Sequence, residues 1–124
     1  MCRLGFQEED TKKLYKKINI IKKFNYVLIM SHLASSSNKN DKYNVIQLNR
    51  FKKIKKLFSG FKYSLSASGG IFLGKKYHFD MVRPGINLYG GCQHFHNKIK
   101  NVVSVRCPII AINQLYKGET CGYN

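Results

Sequence analysis

One arginine stands inside a short apolar run, Met81-Val-Arg-Pro-Gly-Ile86, and has an evident chemical task. A guanidinium keeps its proton, so Arg83 beside Met81, Val82, Ile86 and Leu88 requires an acceptor or an anion close by. Pro84-Gly85 then bends the chain, and Gly85 lets backbone N–H groups approach a ligand such as a phosphate. The arrangement suits a cofactor with a ring and an anionic tail, and it equally suits a strand-end arginine paired with a carboxylate. Ser68-Gly69-Gly70 sets a hydroxyl beside two glycines, which fits either an anion or a plain strand-to-helix turn. His32 follows an apolar run and could titrate near neutrality or serve as a hydrogen-bonded structural residue.

These groups need elements to position them. From Glu8 the sequence reads as a helix, with Glu8, Glu9 and Asp10 at the positive end of the dipole and a Leu14, Ile18, Ile21 stripe. Tyr26–Met30 is an uninterrupted apolar run, expected to be a strand buried on both faces of a parallel sheet, with Ser31-His32 at its carboxyl end. After a polar loop, Asp41 is placed to cap a helix carrying Val45, Leu48, Phe51, Ile54 and Phe58 at helical spacing, ended by Ser59-Gly60. Phe61–Ala67 is expected to be a second strand that delivers Ser68. Lys75–Phe79 leads into a further strand holding Arg83. Past Gly90 the pattern changes, and residues 91–101 read as a linker. Val102–Val105 and Ile109–Ile112 then read as antiparallel strands, followed by a turn at Lys117-Gly118.

At 124 residues the chain is long enough for one modest domain. It has no apolar run long enough to span a membrane and no signal-peptide pattern, so a cytoplasmic location is expected. The net charge of +16 would suit nucleic acid or an anionic membrane surface. However, the lysines are spread in pairs along the whole chain and no aromatic stacking motif accompanies them, so they read as compositional bias, and specific nucleic-acid binding is not expected. Cys2, Cys92, Cys107 and Cys121 lack CxxC spacing and read as reduced thiols. Cys92, His94 and His96 fall short of the four ligands that a closed zinc site takes, so no metal is expected.

Four stretches in order carry a resemblance: Met1-Cys-Arg-Leu-Gly-Phe6, Ser31-His-Leu-Ala34, Tyr77-His-Phe-Asp-Met-Val-Arg-Pro-Gly-Ile-Asn-Leu-Tyr-Gly90 and Lys117-Gly-Glu-Thr-Cys-Gly-Tyr123. Together they resemble the alanine racemases, pyridoxal-phosphate enzymes that interconvert L-alanine and D-alanine for peptidoglycan synthesis. The resemblance implies an α/β fold: residues 1–90 as the second half of a (β/α)8 TIM-type barrel, then 91–101 as linker and 102–124 as the first strands of a C-terminal β-domain. It also implies roles. Arg3 would hydrogen-bond the phenolic oxygen of the cofactor, and Arg83 its pyridine nitrogen. His32 would contact and support Arg83. Ser68, with the backbone N–H groups of Gly85 and Ile86, would hold the phosphate. Tyr123 would be a catalytic base reaching the site of the other subunit of a homodimer. Two departures stand out: Ser35 replaces an acidic residue of the family, and Ala67 replaces an asparagine beside the phosphate-binding serine.

The family's Schiff-base lysine belongs to strands that precede the part matched here, and most of its β-domain follows that part. The expectation is therefore an internal racemase fragment, from a split or decayed gene, inactive alone unless complementing fragments supply the rest. Barrel-only pyridoxal-phosphate proteins fit less well, because they lack a β-domain start such as Ile109–Tyr123. The alternative from another class is a small basic protein that binds nucleic acid or an acidic surface, which would show steep salt dependence.

Overall fold

The computed structural model describes residues 3–25, 27–91 and 99–122. Its framework is a pair of parallel strands, β1 (Leu28–Met30) and β2 (Lys62–Ser64), in register Leu28 to Lys62, Ile29 to Tyr63 and Met30 to Ser64. A parallel pair needs a long crossover, and α3 (Lys42–Leu57) supplies it. The β1–α3–β2 unit carries the core: Leu33, Leu48, Phe51, Tyr63, Leu65 and Tyr77, with Ile29, Phe61, Leu73 and Phe79 packed against it.

α3 forms where the sequence places it. Asp41 Oδ1 accepts the Tyr43 N–H at 2.8 Å, satisfying one of the amides that a helix start leaves unpaired. At the other end Phe58 N–H reaches Ile54 O at 2.9 Å, and Gly60 turns the chain with φ near +90°. The buried face is Asn44, Leu48 and Phe51, whereas Val45 is exposed, so the stripe begins on an amide and not on the expected valine. The amide is turned inward to bind the loop before the helix, as its hydrogen bonds show.

The amino-terminal helix is shorter than expected. α1 (Glu8–Tyr15) stops, Lys17 N–H turns back to Leu14 O at 2.9 Å, and a separate turn, α2 (Ile18–Ile21), follows. Lys12 with Lys16 and Lys13 with Lys17 are like charges four residues apart, which oppose continuous helix there. Leu14, Ile18 and Ile21 are all half-buried despite the break. Tyr15 packs edge-on against Phe58, with ring centroids 5.6 Å apart.

Three strand expectations are corrected. β1 is shorter than Tyr26–Met30 and is not buried on both faces: Met30 is 56% exposed, with no packed layer over its face among the described residues. The Arg83 segment forms no strand. It begins with a 3-10 turn at Lys75–Tyr77 and makes two isolated bridges, Phe79 to Ser64 at the end of β2 and Arg83 to Ala67 beyond it. Gly74 and Phe79 both have positive φ and Pro84 lacks an N–H, so a regular ladder cannot run through this stretch. Val102–Val105 and Ile109–Ile112 are likewise not in strands; Val105, Ile109, Ile110 and Ile112 are at least 80% exposed, with no strand beside them among the described residues. The turn at Lys117-Gly118 is present, with Glu119 N–H bonded to Tyr116 O at 3.1 Å.

Candidate functional site at the carboxyl ends of the strands

Parallel β-α units present their chemistry at the carboxyl ends of the strands, and β1 and β2 end side by side. Ser31 N–H bonds Ser64 O at 3.0 Å, so the first residue beyond β1 is still fixed to β2. Ser64 and Ser66 are fully buried, and their hydroxyls donate to Met81 O and Tyr77 O, each at 2.8 Å. Buried hydroxyls need partners, and these two spend theirs on tying the irregular 77–83 segment to the sheet. Arg83 N–H then reaches Ser66 O at 2.9 Å.

The guanidinium of Arg83 spans the two strand ends. Nη1 donates to Ser64 Oγ, and Nη2 donates to Ser31 O at 2.6 Å. Burial lowers the Arg83 pKa from its ordinary value, yet a guanidinium so far above neutrality stays charged. This charge acts on His32. The imidazole is held below its ordinary value by burial first, then by the Arg83 charge and the Arg3 charge, which favours its neutral form. The guanidinium's hydrogen bonds to Ser64 and Ser31 stop one residue short of His32, and the arginine acts on His32 through its charge.

Ser68 opens the single turn α4 (Ser68–Ile71) directly after the Ala67 bridge to Arg83. Its Oγ accepts the Gly85 N–H at 2.9 Å, and its carbonyl accepts from Asn87 Nδ2 at 3.0 Å. Ile86 follows at the start of a second 3-10 turn, Ile86–Tyr89, with its side chain 63% exposed. Gly70 is needed for close packing here, since a Cβ would lie 2.8 Å from Ser66 Oγ and 3.0 Å from Leu33 Cδ1.

His32, Ser68, Arg83, Gly85 and Ile86 thus lie on one end of the molecule, and Arg3 is near enough to His32 for its charge to be felt. Tyr123 lies outside the described residues, as do Cys92, His94 and His96. Sequence reasoning missed Ser64, Ser66, Asn87 and Gln47. A signal for the serines was available: Ser64, Ser66 and Ser68 recur with the period of two that places them on one face of a strand. A separate cleft of about 500 Å³, lined by Lys22, Phe24, Val27, Ser59, Phe61 and Lys62, contains none of these residues.

The likeness to known proteins runs along nearly the whole chain. The family model "Alanine racemase, N-terminal domain" matches residues 1–93. The alanine racemase of Rickettsia bellii is 42% identical over 98% of this chain and 30% of its own length. The biosynthetic alanine racemase of Agrobacterium fabrum is 39% identical over 98% of this chain and 32% of its own. The chain therefore spans about a third of the length of the curated relatives it matches. In three dimensions it is similar to the Bartonella henselae alanine racemase solved with covalently bound pyridoxal phosphate. That match has a TM-score of 0.71 and 41% identity, covering 76% of this chain and 27% of the other. The Acinetobacter baumannii alanine racemase gives a TM-score of 0.69 at 29% identity, over 82% and 29% of the two chains. With its first 93 residues matched by the family model and relatives about 40% identical over almost all of its length, the chain belongs to the alanine racemase family.

Proposed function

We propose that residues 1–124 form the part of an alanine racemase that cradles the ring and phosphate of pyridoxal phosphate. The observation carrying this reading is the Arg83 guanidinium fixed between Ser64 Oγ and Ser31 O, on the same strand ends as the Ser68–Gly85 hydrogen bond. The residues suit the group: two arginine charges lie near His32, the Ser68 hydroxyl accepts from Gly85 and keeps its own proton to donate, and the site histidine favours its neutral form.

In this reading Ser68 accepts from Gly85 and so keeps its own proton for a phosphate oxygen, with the N–H groups of Gly85 and Ile86 beside it. Arg83 donates to the pyridine nitrogen and, being far more basic, gives it a hydrogen bond without a proton. His32 stays neutral and supports Arg83 without adding a charge to be repelled. Arg3 donates to the phenolic oxygen. Tyr123 moves a proton at the α-carbon of alanine, in the site of a second subunit. Bound pyridoxal phosphate supplies the electron sink that makes that α-proton removable. Residues 1–90 are then barrel and 102–124 the start of the β-domain, joined through 91–101. The lysine that holds the cofactor covalently lies outside residues 1–124, so the reaction needs further polypeptide, and the product D-alanine serves peptidoglycan synthesis in the cytoplasm. Among the described residues no helix is long and apolar enough to cross a membrane.

The test uses pyridoxine phosphate, which has the ring, phenolic oxygen and phosphate but no aldehyde to react with surface lysines. The 124-residue chain should bind it by calorimetry and lose that binding in Arg83→Ala and Ser68→Ala. It should show no racemisation of L-alanine alone, and gain it when mixed with polypeptide carrying the lysine-bearing strands. Binding that is absent, or indifferent to both substitutions, would overturn the reading.

A further inference from the structure

Two side-chain amides of α3, Asn44 and Gln47, reach the loop that carries His32. Gln47 Oε1 accepts the Ala34 N–H at 2.8 Å, and Gln47 Nε2 donates to His32 O at 3.1 Å. One side-chain amide therefore brackets Leu33 as a neighbouring strand would, pairing with the carbonyl before it and the N–H after it. Leu33 itself is 3% exposed and packed with Leu48 and Phe51 of the same helix and core. Asn44, one turn earlier, donates from Nδ2 to Ser35 O at 3.2 Å and to Asn38 O at 2.8 Å, which holds the loop farther on.

The other side of this segment is the candidate site. Arg83 Nη2 donates to Ser31 O at 2.6 Å, so residues 31–34 are gripped by the guanidinium at one end and by the Gln47 amide at the other. The backbone torsions that aim the His32 ring lie between those two grips. We propose that Gln47 is a positioning residue: its bracket around Leu33 fixes the His32 peptide and so sets the distance of the imidazole from Arg83. The inference rests on the cofactor-cradle reading for its purpose, and on hydrogen bonds within this chain for its geometry. Gln47 meets the site at the His32 peptide and acts through that residue.

The experiment uses the full 124-residue chain. The His32 imidazole is titrated by NMR without ligand, its resonance assigned by loss in His32→Asn, and pyridoxine phosphate affinity is measured separately. Gln47→Met keeps the length and helix propensity of the side chain and removes both hydrogen bonds. It should let the His32 midpoint rise toward the ordinary histidine value as the ring loses its burial and moves away from Arg83 and Arg3. It should also weaken pyridoxine phosphate binding by about three- to tenfold. Asn44→Ala should lower the denaturation midpoint while leaving the His32 titration unchanged, since its two acceptors lie beyond Ala34.

A His32 midpoint that stays in place in Gln47→Met, or that moves equally in Asn44→Ala, would overturn the positioning role. If Gln47→Met does not fold, hydrogen exchange in the unaltered chain decides: an Ala34 amide as protected as the buried amides of α3 supports the bracket, and exchange at a free-loop rate defeats it. Should the unaltered chain fail to bind pyridoxine phosphate while Gln47→Met still shifts His32, the cofactor reading falls and the positioning of His32 stands.

Discussion

Replacing Arg83 by lysine separates charge from geometry at the centre of the site. The guanidinium reaches two acceptors in different directions, Ser64 Oγ and Ser31 O, and an ammonium at the end of one stem can keep one of them. A hydrogen bond from a charged donor contributes about 1.5–3 kcal/mol in a dry site. Arg83 is only half-buried, so solvent competes, and the expected loss is about 1–1.5 kcal/mol. For a domain of this size that lowers the urea midpoint by ~1 M, read by far-UV circular dichroism. His32 should keep its low pKa in Arg83→Lys, because a positive charge remains nearby, whereas Arg83→Met should let it rise. An Arg83→Lys midpoint within about 0.1 M of the unaltered chain would refute the view that the two-armed guanidinium joins the strand ends.

Leu65 has no exposed surface, so Leu65→Ala should cost about 2–4 kcal/mol in the same urea assay. Asp41→Ala should lower the midpoint and Asp41→Asn should restore part of it, because the asparagine oxygen can still accept Tyr43 N–H but lacks the charge. The Asp41 carboxyl is held below its ordinary value by the Tyr43 N–H and then the Ser35 hydroxyl. Its charge therefore stabilises the fold above the ordinary carboxylate value, and that contribution is lost as pH falls through the lowered folded value; acid titration of Asp41→Asn should lack this loss. His32 also lowers stability on acidification, but in a window nearer neutrality. It is harder to protonate folded than unfolded, so it contributes nothing above 6.5, and stability falls as pH drops through 6.5 toward the lowered folded value; in His32→Asn that fall should be absent.

What the sequence made legible was local or carried by motifs. The Asp41 cap, the α3 span and the order of strand, helix and strand follow from short stretches read against simple rules, whereas the pairing of Ser68 with Gly85 came from the resemblance to a family. The misreadings arise where a residue's state depends on what lies across from it. Val102–Val105 and Ile109–Ile112 have strand composition, but composition supplies no partner, and the described residues offer none. Tyr26–Met30 reads as doubly buried because apolar runs usually are, whereas Met30 faces outward with no packed layer over it among the described residues. Asn44 and Gln47 were invisible for the opposite reason. A polar residue on a helix reads as solvated, and its inward use emerges only when the loop it grips is seen beside it.

The hydroxyls of Ser64 and Ser66 have a bearing on how such a chain ages. A regular strand holds its neighbour through peptide groups, which every amino acid possesses, so its pairing survives most substitutions. The segment that ends in Arg83 instead hangs in part on two particular hydroxyls. Each can vanish in a single serine-to-alanine exchange that leaves β2 as a strand and the core almost unchanged in volume. Loss of the arginine's placement is thus uncoupled from loss of the fold: drift at Ser64 and Ser66 would blur the site while the β1–α3–β2 unit went on folding, and a descendant could keep the outline of a racemase long after its arginine had wandered.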